Sequence, residues 1–421
     1  MALGYRTSTP TNIILSESKV ESLENRAKYL GTTYFSKILS NKSSLVYKTI
    51  KNLSTVIKQD KRKRGLFINE CINEAMKYES EILAFDNIPI YNFDYYLLSN
   101  PVNTDVLFGR LLQNTNDPNL LLNDYLNNES NSLHIYTDGS KNTDVISVGA
   151  ACFCEKIDKQ AMLSINKRAS IFTAECAAIN EALNIALDNK DKNIVIISDS
   201  LSAIESLNHP SFNAQTNPLI FEIRKKVHKF NNSDTYIKLL WVPSHQGLTG
   251  NENVDKLAKS ATLIDPTIKH IPHTDLRNHI VQREKLASKM SIEELGLIKG
   301  VSYFEYFHNS FSKPWFYNKN MDRDLITTIN RCRSGHYNLN ESLHKIKVVP
   351  DSSCSCGYPV ENLNHVIWQC PRFDQERKSL VSKLIHCGYQ LPVDITEFLS
   401  KPNIKMMSYV NEFFNNCQIK I

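Results

Sequence analysis

Ile135-Tyr136-Thr137-Asp138-Gly139-Ser140 is an apolar run that ends on an acid and a turn. The approach from Leu133 predicts a strand, and Gly139-Ser140 is a turn signal. Further strands are predicted over 146–154 and 161–165, so the run opens a hairpin meander. A helix follows over 172–188, where Ala174, Ala177, Ala178, Ala182, Ile185 and Ala186 are good formers and Thr173 is a plausible start. The short apolar run 194–198 suits a buried strand. Residues 200–207 and 218–230 are expected to be helical, 236–242 a strand, and 253–262 a closing helix. Strands followed by βα units predict an α/β fold, a mixed sheet with helices on its faces.

The chain has 421 residues, too many for one typical compact domain. A hydrophobic content of 42% is compatible with ordinary globular cores. The net charge of +5 permits a nucleic-acid partner without demanding one. No run of eighteen apolar residues occurs, so no membrane span is expected. Met1-Ala2-Leu3-Gly4-Tyr5-Arg6 lacks the apolar core of a signal peptide. The ten cysteines are therefore expected to be reduced thiols of an intracellular protein, with nucleus and cytoplasm left open.

Composition divides the chain into 1–130, 131–265 and 266–421. The first part is expected to be helical. Leu23, Ala27, Leu30, Tyr34 and Ile38 recur at helical spacing over 20–39, and 68–85 repeats the pattern. Residues 114–131, rich in Asn and Asp, read as a polar linker. Lys61-Arg62-Lys63-Arg64 could touch phosphate or serve nuclear import, although a solvated charge run is the commoner case. The last part is expected to be mainly helical, with helix cores at 325–329 and 375–385.

Asp138 and Asp199 both end strands, and in an open sheet active groups gather at such carboxyl ends. Glu175 falls about one turn into its helix, and Asp255 just inside the closing helix, where the dipole favours a carboxylate. Converging carboxylates repel, so they must take up protons or be met by positive charge. Divalent cations with oxygen ligands supply it, and two magnesium ions about 4 Å apart suit phosphodiester hydrolysis. His245, in Pro243-Ser244-His245-Gln246-Gly247, is placed to move protons. Taken singly, each of these residues is more often a cap, a solvated acid or an idle loop histidine. Only the joint pattern points to a site.

That pattern closely resembles type 1 ribonuclease H, in the form joined to reverse transcriptases of insect-type, jockey- or R1-like non-LTR retrotransposons. It comprises Tyr136-Thr137-Asp138-Gly139-Ser140, Thr173-Ala174-Glu175, Ser198-Asp199-Ser200, Trp241-Val242-Pro243-Ser244-His245-Gln246-Gly247, and Gly250-Asn251-Glu252-Asn253-Val254-Asp255 with Leu257-Ala258. The resemblance implies a ribonuclease H-like five-stranded mixed sheet, its second strand antiparallel to the first. It implies Asp138, Glu175, Asp199 and Asp255 as ligands of two magnesium ions, for which manganese can substitute, and His245 as the loop histidine. The expected reaction is endonucleolytic cutting of the RNA in an RNA–DNA hybrid, leaving 3′-hydroxyl and 5′-phosphate ends.

The 2′-hydroxyl separates RNA from DNA in a minor groove, and Ser140, Thr173 and Ser200 are candidates for backbone contact, each equally a candidate helix cap. Arg224, Lys225, Lys226 and Lys229 could face phosphate. Only a short helix stands where cellular relatives often carry a longer basic handle, so hybrid binding is expected to be weak and salt-sensitive. The opening Leu3-Gly4-Tyr5-Arg6-Thr7-Ser8-Thr9-Pro10 resembles the segment after the polymerase in the same elements. No Tyr-x-Asp-Asp motif is present, so the chain looks like the C-terminal part of a larger reading frame.

Cys354, Cys356, His365 and Cys370 offer four soft ligands. They resemble the C-terminal Cys-Cys-His-Cys knuckle of those proteins, with Trp368 over a zinc ion and Arg372 and Arg377 near nucleic acid. The other reading is a reduced, cysteine-rich turn with His365 and Trp368 in a helical core. Cys332 and Cys387 have no assignable partner. For the whole chain, the nuclease stands beside a catalytically idle nucleic-acid-binding module and, more remotely, an integrase-like strand transferase. Oligomeric state is left open.

Overall fold

The computed structural model describes residues 3–59, 66–84, 102–129, 132–142, 145–188, 193–209, 217–231 and 235–421. The basic tetrad at 61–64 lies outside them. Contacts divide the chain into two compact units, Ala27–Arg283 and the pair Met1–Arg26 with Glu284–Ile421. The divisions at 130/131 and 265/266 mark changes of sequence pattern; the first unit is held by apolar packing that runs across both. Among the described residues no helix is long and apolar enough to cross a membrane.

Ala27–Arg283 is organised by a sheet of six strands: β1 (Thr104–Asp105), β2 (Ser132–Ser140), β3 (Ser147–Cys154), β4 (Lys159–Asn166), β5 (Asn193–Ser198) and β6 (Tyr236–Trp241). Their order is β1-β6-β5-β2-β3-β4. β2 pairs antiparallel with β3 and β3 with β4, whereas β2, β5, β6 and β1 run parallel. The mixed sheet and the antiparallel second strand of the meander agree with expectation. The expected five strands become six because β1 adds to the edge, Thr104 opposite Leu239. Two residues leave no periodic trace in a sequence.

The unit's helices include α1 (Leu107–Leu112), α2 (Pro118–Asn128), α3 (Ile171–Leu187), α4 (Leu201–Asn208), α5 (Pro218–Asn231), α6 (Thr249–Ala261) and the start of α7 (His273–Gly296). Side chains alternate across a strand, and the central strands are apolar on both sides. Ile194, Ile196, Ile237 and Leu239 pack beneath α3, α4 and α5 with Leu183, Ile204 and Ile223. Val195, Ile197, Leu240 and Val242 pack on the other face with Phe108 and Leu112 of α1 and Leu122 and Leu126 of α2. α6 lies on that same face, with Val254 and Ala258 against Ala151.

Two expectations from the first part of the sequence are corrected. The supposed linker contains α2, whose start is capped by Asp117 accepting from the Leu120 N–H at 3.0 Å, with Pro118 at the first helical position. Asn and Asp raised the turn signal, but buried Leu122 and Leu126 decide the conformation. The expected helix at 20–39 forms over Leu23–Leu39, after Thr11–Ser18 ends at left-handed Lys19, but with another face buried. Its buried residues are Thr32, Phe35, Ser36 and Leu39, while Leu23, Leu30 and Tyr34 are exposed. The apolar spacing was helical but marked the wrong face. Phe35 and Leu39 join Ile72 and Ala75 of Phe67–Met76 in packing on Ala174, Ala178 and Ile165, together with Ile271, Leu276 and Ile280.

In the second unit Ile13 lies in one core with Tyr303, Ile329, Val366, Leu384, Phe413 and Phe414. Buried Arg333 pairs with buried Glu17 at 2.5 Å and donates to the Phe307 carbonyl at 3.0 Å. Residues from both ends of the chain therefore fold as one body, and a buried charge on one end is neutralised by the other.

The seating of α6 on the sheet depends on the absence of a side chain at Gly149. A Cβ there would stand 2.0 Å from the Ala258 carbonyl oxygen, which is backbone and cannot turn aside. Gly149→Ala is expected to lower stability by about 1–3 kcal/mol, read as an earlier urea midpoint. An unchanged midpoint would show that α6 can rise from the sheet without cost.

Candidate active site and cysteine cluster

The register of β2 and β5 builds the acidic site. Thr137 lies opposite Ser198, so the next residues, Asp138 and Asp199, emerge side by side. Glu175 is the fifth residue of α3, capped by Ser170, whose Oγ accepts from the Thr173 N–H at 3.1 Å. Gly139 lets α3 come close, since a Cβ there would lie 2.9 Å from the Glu175 nitrogen. Asp138, Glu175 and Asp199 each offer an oxygen, and these atoms lie within 4.8 Å of one another.

Asp138 Oδ2 and Glu175 Oε2 are buried without a hydrogen-bond partner. Burial, and then the charges of Asp199 and Asp255, push Asp138 up to about 7. Burial, and then Asp138 and Asp199, push Glu175 well above the usual carboxylate range. A Gly139 N–H bond opposes both shifts. Burial also raises Asp199, opposed by Asn251, whose Nδ2 donates to Oδ2 at 3.3 Å. Buried, unpartnered carboxylate oxygens this close fit a cation as their missing partner.

Asp255 stands apart from the trio and closer to solvent, paired with Lys259 at 2.6 Å. α6 begins at Thr249, so Asp255 lies nearly two turns in. The helix dipole therefore does not account for its place, because that effect fades beyond the first turn. Glu252 occupies the first turn instead. A cleft of about 180 Å³ is lined by Asp199, Asp255, Asn251 and His245. His245 has a left-handed backbone, φ +58°, as does Gly247, φ +68°.

Of the expected backbone contacts, Ser140 is buried in β2 and Thr173 is buried as an acceptor for Asn217 Nδ2 at 2.9 Å. Ser200 is half-buried at the start of α4. Arg224 faces inward: it is buried and donates to the carbonyls of Leu207, Ser206 and His209, which turns its guanidinium away from a phosphate at the surface. Lys226 bonds Asn184, while Lys225 and Lys229 are exposed. Sequence reasoning missed Asn251, Lys259 and Asp275. The Asp275 carboxylate accepts from the Ser170 N–H at 3.0 Å and Oγ at 2.8 Å, and so braces the start of α3. Asn251 and Lys259 lie within one helical turn of Asp255, a spacing that could have drawn notice. Asp275 has no such signal.

The ligand atoms of Cys354, Cys356, His365 and Cys370 also lie within 4.8 Å of one another. Cys354 and Cys356 share a tight turn through Gly357, φ +92°, and His365 and Cys370 bracket a wide turn closed by the Cys370 N–H on the His365 carbonyl at 2.8 Å. Cys356 Sγ sits 3.3 Å from His365 Nε2, and Cys354 Sγ 3.8 Å from Cys370 Sγ. Backbone N–H groups of Cys356, Tyr358 and Arg372 bond the three sulfurs. None of the ten cysteines is in a disulfide. Tyr358 stacks on His365 at 4.2 Å, taking the place expected of Trp368, which packs against Phe398. Arg377 donates to the carbonyls of Val366, Ile367 and Cys370, a structural use, and Arg372 reaches Ser355 and Glu361.

The family model described as RNase H matches residues 130–262. The matched span runs from the start of β2 to the end of α6 and contains all three clustered acids, Asp255 and His245. The chain thus carries an RNase H family domain there, in a mixed α/β fold consistent with that family, and the domain supports ribonuclease H-type hydrolysis and nucleic-acid binding.

The pH behaviour of the metal-free protein follows from Asp138. Its folded pKa, about 7, stands above the ordinary 3.8, so folding favours the protonated form. That contribution is full below about pH 4 and is lost as pH rises to about 7. With a chelator present, urea midpoints should fall across this window. Asp138→Asn should make the fall smaller, with the share of the still-buried Glu175 and Asp199 remaining, and should exceed wild type at neutral pH. A flat wild-type profile would refute the burial of that charge.

Proposed function

We propose that the chain is an endoribonuclease that hydrolyses the RNA strand of RNA–DNA hybrids, with residues 131–265 as its nuclease domain. The observation that carries the reading is the trio Asp138, Glu175 and Asp199, converged within 4.8 Å with buried oxygens left without partners. Asp138, Glu175, Asp199 and Asp255 would hold two magnesium ions, or manganese in their place. When bound, such ions supply a nucleophilic water at neutral pH and charge stabilisation of the leaving oxygen.

The protein residues do the rest. Asp138 and Glu175 give up protons once positive charge offsets their burial. Asn251 holds Asp199 in orientation through its bond to Oδ2. His245, which lines the cleft, carries protons between the site and water. Asp255 must exchange its Lys259 partner for the ion, which its exposure permits. The setting in a retrotransposon protein rests on the sequence resemblance, as does the choice of hybrid over other nucleic acids.

The deciding experiment is a magnesium-dependent assay on labelled hybrid, with duplex RNA and duplex DNA as controls. Asp138→Asn and Asp199→Asn should each abolish cutting while leaving folding and hybrid binding largely intact. Asp138→Asn protein that cuts at the wild-type rate would remove that residue from the site. Binding by the wild type without cutting would favour the idle module.

We further propose that Cys354, Cys356, His365 and Cys370 hold a structural zinc ion. The donor set and the N–H bonds to sulfur support it: burial pushes the Cys354 thiol up to about 12, a burden that a coordinated cation lifts. Metal analysis should use the full chain, because Ile13 belongs to the core on which the cluster sits. One zinc per chain is expected, and its absence from protein purified without chelators would remove the proposal.

A further inference from the structure

The loop that carries His245 is held from outside the matched span. Gly247 and Thr249 flank Leu248, and all three are engaged by residues of 102–129. Asn119 of α2 donates from Nδ2 to the Gly247 carbonyl at 2.7 Å and accepts at Oδ1 from the Thr249 N–H at 3.2 Å. A side-chain amide thus pairs with two backbone groups as a neighbouring strand would. Leu248, only 1% exposed, is plugged into the cluster of Phe108, Leu112, Leu122 and Leu126.

The body that supplies these contacts is itself fastened to the sheet. β1 pairs with β6, Tyr125 donates from its hydroxyl to Asp105 at 2.9 Å, and Lys238 of β6 bonds Glu129 at 2.7 Å. Two residues of the loop, His245 and Gly247, adopt left-handed backbone. A non-glycine residue held there needs surroundings that enforce the conformation.

We infer that Asn119 is a positioning residue: it sets the His245 loop, so that residues 102–129 are an integral part of the nuclease. The inference rests on the proposed hydrolysis of hybrids for its catalytic consequence, and on geometry alone for the clamp. Asn119 forms no hydrogen bond to Asp138, Glu175, Asp199 or Asp255 among the described residues; it also holds Thr249 at the start of α6, which carries Asn251 and Asp255, and its effect is assigned to His245 rather than to that helix.

The full-length protein tests this in two arms. In the first, kcat and KM for hybrid cutting at saturating magnesium are compared for wild type, Asn119→Ala, His245→Ala and the double variant. Asn119→Ala removes both hydrogen bonds and should lower kcat by at least roughly three- to tenfold, the range of one such bond, with KM nearly unchanged. In the His245→Ala background the same change should cost almost nothing, because residues acting as one unit are not additive. Equal losses in both backgrounds, or an unchanged kcat, overturn the inference. In the second arm, hydrogen exchange over 243–250 should quicken roughly three- to tenfold in Asn119→Ala while α3 is unaffected. Unchanged exchange in the loop removes the clamp whatever the activity. If wild type fails to cut hybrid, the nuclease reading falls by itself, and the exchange arm still judges the clamp. Should Asn119→Ala melt early, Asn119→Asp serves instead: it keeps the acceptor for Thr249, loses the donor to Gly247, and should show a smaller effect of the same pattern.

Discussion

Bringing like charges together inside a protein is the constraint on which Ala27–Arg283 turns. Asp138, Glu175 and Asp199 repel one another and are mostly withdrawn from water. The Gly139 N–H and the Asn251 amide offset this only in part. Two of the acids are forced together by the parallel register of β2 with β5. The third is brought in by α3, whose seating depends on a bare backbone at Gly139. The energy for this comes from apolar burial elsewhere, on both faces of β5 and β6. A site of this kind is a local loss of stability supported by its frame, as functional sites commonly are.

The frame extends beyond residues 130–262. On one side Asp275, from the start of α7, accepts two hydrogen bonds from Ser170 where α3 begins. Glu81 joins Arg168 in an ion pair at 2.6 Å, and Leu83 donates from its N–H to the Ile271 carbonyl at 2.7 Å. On the other side β1, α1 and α2 cover the face of β6. The stretch of chain with recognisable motifs is therefore shorter than the body that holds those motifs in place.

The cysteine cluster obeys a different balance. Its donors are soft and its sulfurs already accept backbone N–H groups. Its core is completed by Ile13, and its buried Arg333 by Glu17. The acids of the first site need charge supplied to them, whereas the thiols of the second need protons removed, and a coordinated cation answers both needs.

Much of this was legible in the amino-acid order. The strand of Asp138, the strand end before Asp199, the helix of Glu175 and the spacing of Cys354, Cys356, His365 and Cys370 are short-range properties, set by burial alternation and helix formers, although Gly139-Ser140, read as a turn, continues β2 by pairing with Ala150 and Gly149. Other features were not legible, because they depend on partners distant in the chain. Arg224 has the charge of a phosphate ligand, yet its direction was settled by three carbonyls. Asn119 and Asp275 are ordinary polar residues until folding places Gly247 and Ser170 beside them. The helix in the Asn-rich stretch was decided by a hydrophobic face that only the sheet could bury. Periodicity records which residues want to leave water; it does not record what they meet when they do.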